Sequence, residues 1–345
     1  MTKALLVTLA DANYVPQVKQ LFSSVYHNSG WKGDYMLLAQ DVPEKELKWF
    51  EERGILIKRC KPLHDRAFKN YPVTILNKFY LFTEEFKKWD VVVFLDGDIT
   101  VEASLDRLLK VKKLSAVVDV SENPLRYQFH KRRRSDPPRI KELYDELGDG
   151  YDLGTVSFNV GVLAIPTKII RPDTFKGLLK VFKRYWHITP FPEQAVMNIY
   201  FYKRWERLPL VFNLYYQYYH PSWTITWERS EGIVNHFIIR KPWKARDVYF
   251  TPKWERNLKK ADRIDLNDRP GPKKIWSEEE IRTRSRFIED KAIQRTFWGK
   301  FLRRIVDTLE RVVGRTGILL KRNMPILYAR MKRMRLFQGP AGDGK

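Results

Sequence analysis

An apolar run, Val91-Val92-Val93-Phe94-Leu95, ends in Asp96-Gly97-Asp98. Its length and β-branched content are those of a strand buried on both faces. Such a strand has no reason to finish on two carboxylates unless something cationic compensates them, because desolvating an ionised carboxylate is costly. If the extended geometry continues, Asp96 and Asp98 share one face, since side chains alternate with period two. Two hard oxygen donors at the carboxyl end of a strand suit a divalent cation such as Mn or Mg. Open α/β sheets take their ligands at that edge, and Gly97 lets a ligand approach the backbone. Asp-Gly-Asp is also ordinary turn chemistry, so the metal reading needs support from elsewhere in the chain.

The segments around this strand alternate. Ala4 to Thr8, Asp34 to Ala39 and Ile55 to Arg59 read as strands. Val15 to Tyr26 has helical spacing of Val18, Leu21, Phe22 and Val25, and Glu44 to Arg53 and Ile75 to Phe86 also read as helices. This βαβ rhythm predicts an α/β fold, a mostly parallel (mixed) twisted sheet flanked by helices. Further on, Ser115 to Val120, Val156 to Pro166 and Val234 to Ile239 are strand-like. Thr174 to Trp186 and Glu193 to Tyr200 are helical, and the polar stretch Ser121 to Tyr151 is an excursion from the sheet.

A chain of 345 residues with 43% hydrophobic residues can bury a sizeable core. The single cysteine, Cys60, excludes an intrachain disulfide framework and cysteine-based zinc clusters. The N-terminal apolar run is too short for a signal peptide, and no apolar stretch is long enough to span a bilayer. The net charge of +23 calls for an anionic partner. Residues 281–337 carry 16 Lys/Arg against 4 Asp/Glu. There Trp298, Phe301, Leu302, Ile305, Leu309 and Val312 fall on one helical face, with Lys300, Arg303, Arg304 and Arg311 mainly off it. A basic amphipathic helix fits an anionic membrane surface. The expected organisation is a catalytic domain over 1–256, a linker over 257–280, a basic helical membrane-associating extension over 281–337 and a tail over 338–345. A cytoplasmic, peripheral location follows from these expectations.

Several separated segments resemble the family 8 glycosyltransferases, glycogenin-like and bacterial lipopolysaccharide glucosyl- and galactosyltransferases. The similarity runs from about residue 3 to 245. It rests on Ala10-Asp11-Ala12-Asn13-Tyr14, Asn77-Lys78-Phe79, Phe94-Leu95-Asp96-Gly97-Asp98 and Phe158-Asn159-Val160-Gly161-Val162. Pro192-Glu193-Gln194-Ala195-Val196-Met197-Asn198 and His236-Phe237 through Lys241-Pro242-Trp243 complete it. The order and spacing of these pieces together carry the resemblance.

The resemblance implies a GT-A fold, a manganese ion (or magnesium) and retaining transfer from a UDP-sugar to a glycan or lipid-linked acceptor. It implies Asp96, Asp98 and His236 as metal ligands. Asp11 and Asn13 would sit near the uracil with Tyr14 stacking on it, and Thr8 and Gly97 would belong to the same donor site. Lys78 would help hold the diphosphate. Lys241 would add a point charge at the phosphates, with Arg240 the substitute should the loop displace it. Asp119 and Asn159 would bond the donor sugar, and Glu193 and Gln194 would flank its reacting face. The chain departs from the family between His236 and Lys241: the spacing is one residue shorter, and Ile239 stands where the family carries glycine.

Two alternatives compete with a membrane-docked transferase. One is a self-glucosylating primer whose acceptor is a tyrosine of the run Tyr215-Tyr216-Gln217-Tyr218-Tyr219. The other is a nucleic-acid-binding protein, motivated by the charge. No nucleic-acid-binding motif accompanies that charge, and it gathers on the amphipathic segment, which favours a lipid partner.

Overall fold

The structure, a computed structural model, describes residues 2–66, 68, 71–119, 122–129, 145–148, 150–215, 231–238, 241–244 and 249–290. The apolar stripe from Trp298 to Val312, Arg240, and Tyr216 to Tyr219 lie outside them. Among the described residues no helix is long and apolar enough to cross a membrane.

A seven-stranded sheet is built in the order β3-β2-β1-β4-β7-β6-β8. Its strands are β1 (Ala4–Ala10), β2 (Asp34–Ala39), β3 (Leu56–Arg59), β4 (Val91–Leu95), β6 (Leu114–Val118), β7 (Phe158–Pro166) and β8 (Trp205–Arg207). Pairing is parallel except along β7, which runs antiparallel to both β4 and β6. Alternate residues feed two cores. On β4, Val91, Val93 and Leu95 join the layer under α1 (Val15–Ser29), while Val92 and Phe94 join the layer under α3 (Thr174–Tyr185) and α4 (Pro192–Tyr200). Burial on both faces explains the unbroken apolar run. Each fully buried Leu, Val or Phe contributes about 1.5–3 kcal/mol.

A second sheet of three short strands, in the order β5-β10-β9, was not legible in the sequence. It joins β5 (Ile99–Val101), β10 (Val234–His236) and β9 (Leu214–Tyr215). In its register His236 faces Ile99 and Tyr215, and the Phe237 amide donates to the Asp98 carbonyl at 3.0 Å. This pairing brings a distant histidine beside the two carboxylates.

The helix expected over Ile75 to Phe86 is instead two 3-10 segments, Val73–Phe82 and Glu84–Lys88, broken at the extended Thr83. Leu76, Phe79 and Phe82 are all buried and recur every three residues, which a 3-10 helix aligns on one face.

Residues 257–280, read from sequence as a linker, lie along the body of the domain. The Trp49 indole donates to Asp262 at 2.7 Å, the Lys273 amide to the Asn28 carbonyl at 2.9 Å and the Ser104 amide to the Lys274 carbonyl at 2.8 Å. The α1 helix ends on Gly30 at φ 67°, where a Cβ would stand 2.5 Å from Cδ of Pro272. Only glycine meets both demands. The charged composition suggested solvent, but backbone groups of the segment and the Asp262 carboxylate bond it to the domain. Helical residues 278–290 continue the packing, with Ile281 and Ile288 buried in the core. The step expected at 281 therefore falls inside a helix of the folded body.

Candidate active site

Asp96 ends β4 and Asp98 precedes β5, with a turn between them instead of continued extension. The turn still delivers both carboxylates to one place. Ligand atoms of Asp96, Asp98 and His236 all lie within 4.8 Å of one another. His236 Nε2 stands 3.0 Å from Asp98 Oδ1 and 3.9 Å from Asp96 Oδ2. Gly161, on β7, makes room for the ring: a Cβ there would lie 2.4 Å from His236 Cε1.

Two lysines close the centre. Lys78 is buried, with Nζ 2.9 Å from Asp96 Oδ1 and 3.5 Å from Glu193 Oε1. Lys241 pairs with Asp98, so the shortened loop still returns its ammonium to the carboxylates. Burial alone would raise the Asp98 pKa, but His236 and Lys241 beside it outweigh that and hold the carboxyl well below its usual range. Burial would likewise strip Lys78 of its proton, and Asp96 and Glu193 reverse this, leaving its pKa above the ordinary value. Glu193 is pushed upward, by burial first, against the opposing pull of Lys78. Three carboxylates thus face two ammonium groups and one imidazole. The donor set, two carboxylates and an imidazole, fits a divalent cation held by Asp96, Asp98 and His236.

The remaining expected residues divide. Tyr14 is half-buried beside Gly97, where a Cβ would lie 3.3 Å from its Cδ1, and its ring meets Trp243 edge-on at 6.3 Å. Burial, then Asp98, Asp96 and Asp11, raises its hydroxyl pKa, so it stays neutral. Asp11 caps the turn after β1, accepting from the Asn13 amide at 2.9 Å, and Asn13 is exposed there. Thr8 is fully buried in β1, with no hydrogen-bond partner for its hydroxyl among the described residues.

Two residues without a sequence signal complete a polar relay: Gln128 joins Gln194 to Asp119, and Asn213 joins Asn159 to His236. Gln194 Oε1 accepts from Asn159 Nδ2 at 2.9 Å and from the Val160 amide at 3.3 Å. Gln194 Nε2 donates to Gln128 Oε1 at 2.8 Å, and Gln128 Nε2 donates to Asp119 Oδ2 at 3.0 Å. On the other side Asn213 Nδ2 donates to Asn159 Oδ1 at 3.0 Å, and His236 Nδ1 lies 2.9 Å from Asn213 Oδ1. Gln128 and Asn213 sit in segments without periodicity or motif, so no local signal marked them.

A mixed sheet with an Asp-Asp-His group at the end of its middle strand is the architecture of a GT-A fold. The chain belongs to glycosyl transferase family 8, whose family model matches residues 5–247. It is 26% identical to galactinol synthase 1 of Arabidopsis thaliana over 244 residues, 65% of this chain and 64% of that protein. It is 24% identical to glycosyltransferase GlyB of Streptococcus pneumoniae serotype 4 over 218 residues, 59% of this chain and 46% of that protein. The chain therefore spans less than two thirds of the length of these relatives. Among solved structures it is similar to the galactosyltransferase LgtC in complex with donor and acceptor sugar analogs, with a TM-score of 0.56 and 20% identity. That match covers 74% of this chain and 95% of LgtC. The bifunctional WbbM matches with a TM-score of 0.57 and 20% identity, over 77% of this chain and 52% of that one. These two likenesses establish the fold.

Proposed function

We propose that this chain is a metal-dependent, retaining hexosyltransferase that moves a hexose from a UDP-sugar to a glycan or lipid-linked acceptor at a membrane surface. The observation that carries the reading is the convergence of Asp96, Asp98, His236 and Lys241 on one point, with Lys78 joining it to Glu193. In the reaction the bond from the anomeric carbon to the diphosphate breaks, and a bond to the acceptor oxygen forms on the same face. The acceptor's proton leaves with the phosphate oxygen or a base. A bound divalent cation, Mn or Mg, supplies Lewis-acid compensation for the charge on the departing UDP.

The chain's own residues do the rest. Lys241 adds a point charge where the diphosphate would lie, with Arg240 next to it in sequence. Lys78 is committed to Asp96 and Glu193, so its task is to fix both carboxylates while lending positive charge to the site. Tyr14 offers its ring to the uracil, with Asp11 and Asn13 at the same strand end and Thr8 and Gly97 beneath. Asp119 and Asn159 hold sugar hydroxyls. Gln194 already accepts from two donors, which suits a residue that shapes the sugar pocket. Glu193 is the carboxylate on that side with the strength to act on the anomeric carbon. Docking through the basic extension would place this site beside a membrane-held acceptor on the cytoplasmic face.

The test is UDP release from UDP-hexoses, UDP-glucose and UDP-galactose first, with and without Mn(II). Calorimetric titration of UDP with Mn(II) into Asp96→Asn and Asp98→Asn accompanies it. Metal-dependent release and loss of metal-dependent UDP binding in both variants is the expected result. Affinity unchanged in both variants rejects the metal assignment, and no release from any UDP-hexose rejects the donor class.

A further inference from the structure

Asn213 is fully buried beneath the carboxylate centre and belongs to none of the motifs that mark it. Its orientation can be derived from groups whose chemistry leaves no choice. The Gly161 amide donates at 2.7 Å to Asn159 Oδ1, so that atom is an acceptor. The Asn213 atom 3.0 Å from it must therefore be the amide nitrogen. The same nitrogen lies 3.2 Å from the Tyr215 hydroxyl, which in turn donates to the Val118 carbonyl. Asn213 Oδ1 is left facing His236 Nδ1 at 2.9 Å, and an amide oxygen can only accept.

The opposite end of the chain gives the same answer. Asp119 is a carboxylate and takes the Gln128 amide nitrogen, which also donates to Ser157 Oγ. Gln128 Oε1 then accepts from Gln194 Nε2, and Gln194 Oε1 accepts from Asn159 Nδ2. Asn159 again presents its oxygen to Asn213. Two independent anchors, a backbone N–H and a carboxylate, fix one direction for the whole relay.

We infer that Asn213 is a positioning residue for the metal centre: it takes the Nδ1 proton of His236 and thereby fixes the ring with Nε2, the nitrogen a bound cation would use, toward Asp96 and Asp98. Metal-bound histidines commonly donate their other ring N–H to such an acceptor, and losing it costs metal affinity. Through Asn159 the same amide ties the metal ligand to Gln194, so the sugar side and the metal side of the site share one rigid polar floor. The inference rests on the metal-centre reading above.

The experiment uses the full chain and three measurements. Mn(II) affinity is read by electron paramagnetic resonance of free Mn(II) in the presence of UDP. The hydrogen bond at His236 Nδ1 is read from the 1H and 15N shifts and exchange protection of its N–H in the histidine-labelled protein with Mg(II) and UDP, and folding from the metal-free melting temperature. Asn213→Leu removes the acceptor, whereas Asn213→Asp keeps it. The expected result is a 10- to 100-fold weaker Mn(II) affinity in Asn213→Leu, from the usual effect of losing such a partner. In that variant the Nδ1–H loses its hydrogen-bonded shift and its protection from exchange. Asn213→Asp restores both readings, and the melting temperatures do not follow the metal affinities. Unchanged Mn(II) affinity in Asn213→Leu overturns the inference alone. So does equal loss in both variants in step with a fall in melting temperature, which makes Asn213 merely structural. Failure of the unsubstituted chain to bind Mn(II) overturns the metal reading and this inference with it.

Discussion

A methyl group on Gly161 would stand 2.4 Å from Cε1 of His236 and 2.8 Å from its Nδ1. The ring is pressed against the β7 backbone on that side and held by Asn213 through Nδ1. Gly161→Ala must therefore push His236 away from the carboxylates. Metal affinity should fall at least about tenfold, the lower end of what disturbing a ligand's support costs. Mn(II) titration of the variant, with circular dichroism to verify folding, decides the matter; retained affinity would mean the ring can move without cost.

Glu193 lies on one side of the Lys78 bridge and Asp96 on the other, and Glu193 is the carboxylate proposed to face the sugar. Glu193→Ala should lower kcat by two orders of magnitude or more, roughly the loss seen when a group acting at the reacting centre is removed. The dissociation constant for UDP should change little. Steady-state kinetics with the best donor, beside calorimetry with UDP, separates the two. A raised KM at full turnover would make Glu193 a binding residue.

Glu102 offers a pH signature away from the active site. Burial, then its neighbour Glu231, pushes its carboxyl up to about 7, against the opposing pull of Lys253 and Lys273. Between the ordinary 4.5 and about 7 the native state keeps a proton that the unfolded chain has released. Stability is therefore highest below this window and falls as pH rises through it. Relative to Glu102→Gln, the unsubstituted protein should lose up to about 3 kcal/mol between pH 4.5 and 8, at 1.36 kcal/mol per pKa unit. Urea denaturation of both proteins at the two pH values measures this difference, and parallel pH curves would contradict it.

Membrane docking is best tested with a truncation placed by the structure. Ile281 and Ile288 are core residues, and Arg207 pairs with Glu289 at 2.9 Å. A cut before Ile281 would open the core, so the chain should end after Asp290. The shortened protein should keep transfer to a soluble acceptor analogue and stop sedimenting with anionic liposomes at low salt. Each basic residue removed from such a surface forfeits on the order of 1 kcal/mol. Sedimentation that survives the truncation would place the membrane contact elsewhere in the chain, and a full-length protein that ignores the liposomes would rule out docking.

The middle of the fold was legible because its signals are local. Two-sided burial writes β4 as an unbroken apolar run, and the amphipathic period of α1 shows in Val18, Leu21, Phe22 and Val25. Chemistry placed at a strand end is equally local, so Asp96 and Asp98 could be read as a pair from sequence. The spacing of the family's motifs extended this to His236, Lys241 and Glu193. What only the tertiary structure decided are relations across long loops. The strand at Val234 was legible, but β5 and β9, of three and two residues, are too short to carry a period, and it is the register of β10 with them that sets His236 against Asp98. Lys78 was expected at the diphosphate from the family resemblance; its burial between two carboxylates only the fold decided. Residues 257–280, expected as a linker, and residues 281–290 of the expected basic extension prove to be part of the packed body, held by backbone bonds and a few apolar anchors. Asn213 and Gln128 are polar residues in unpatterned segments; their meaning lies wholly in which donors and acceptors the fold sets opposite them.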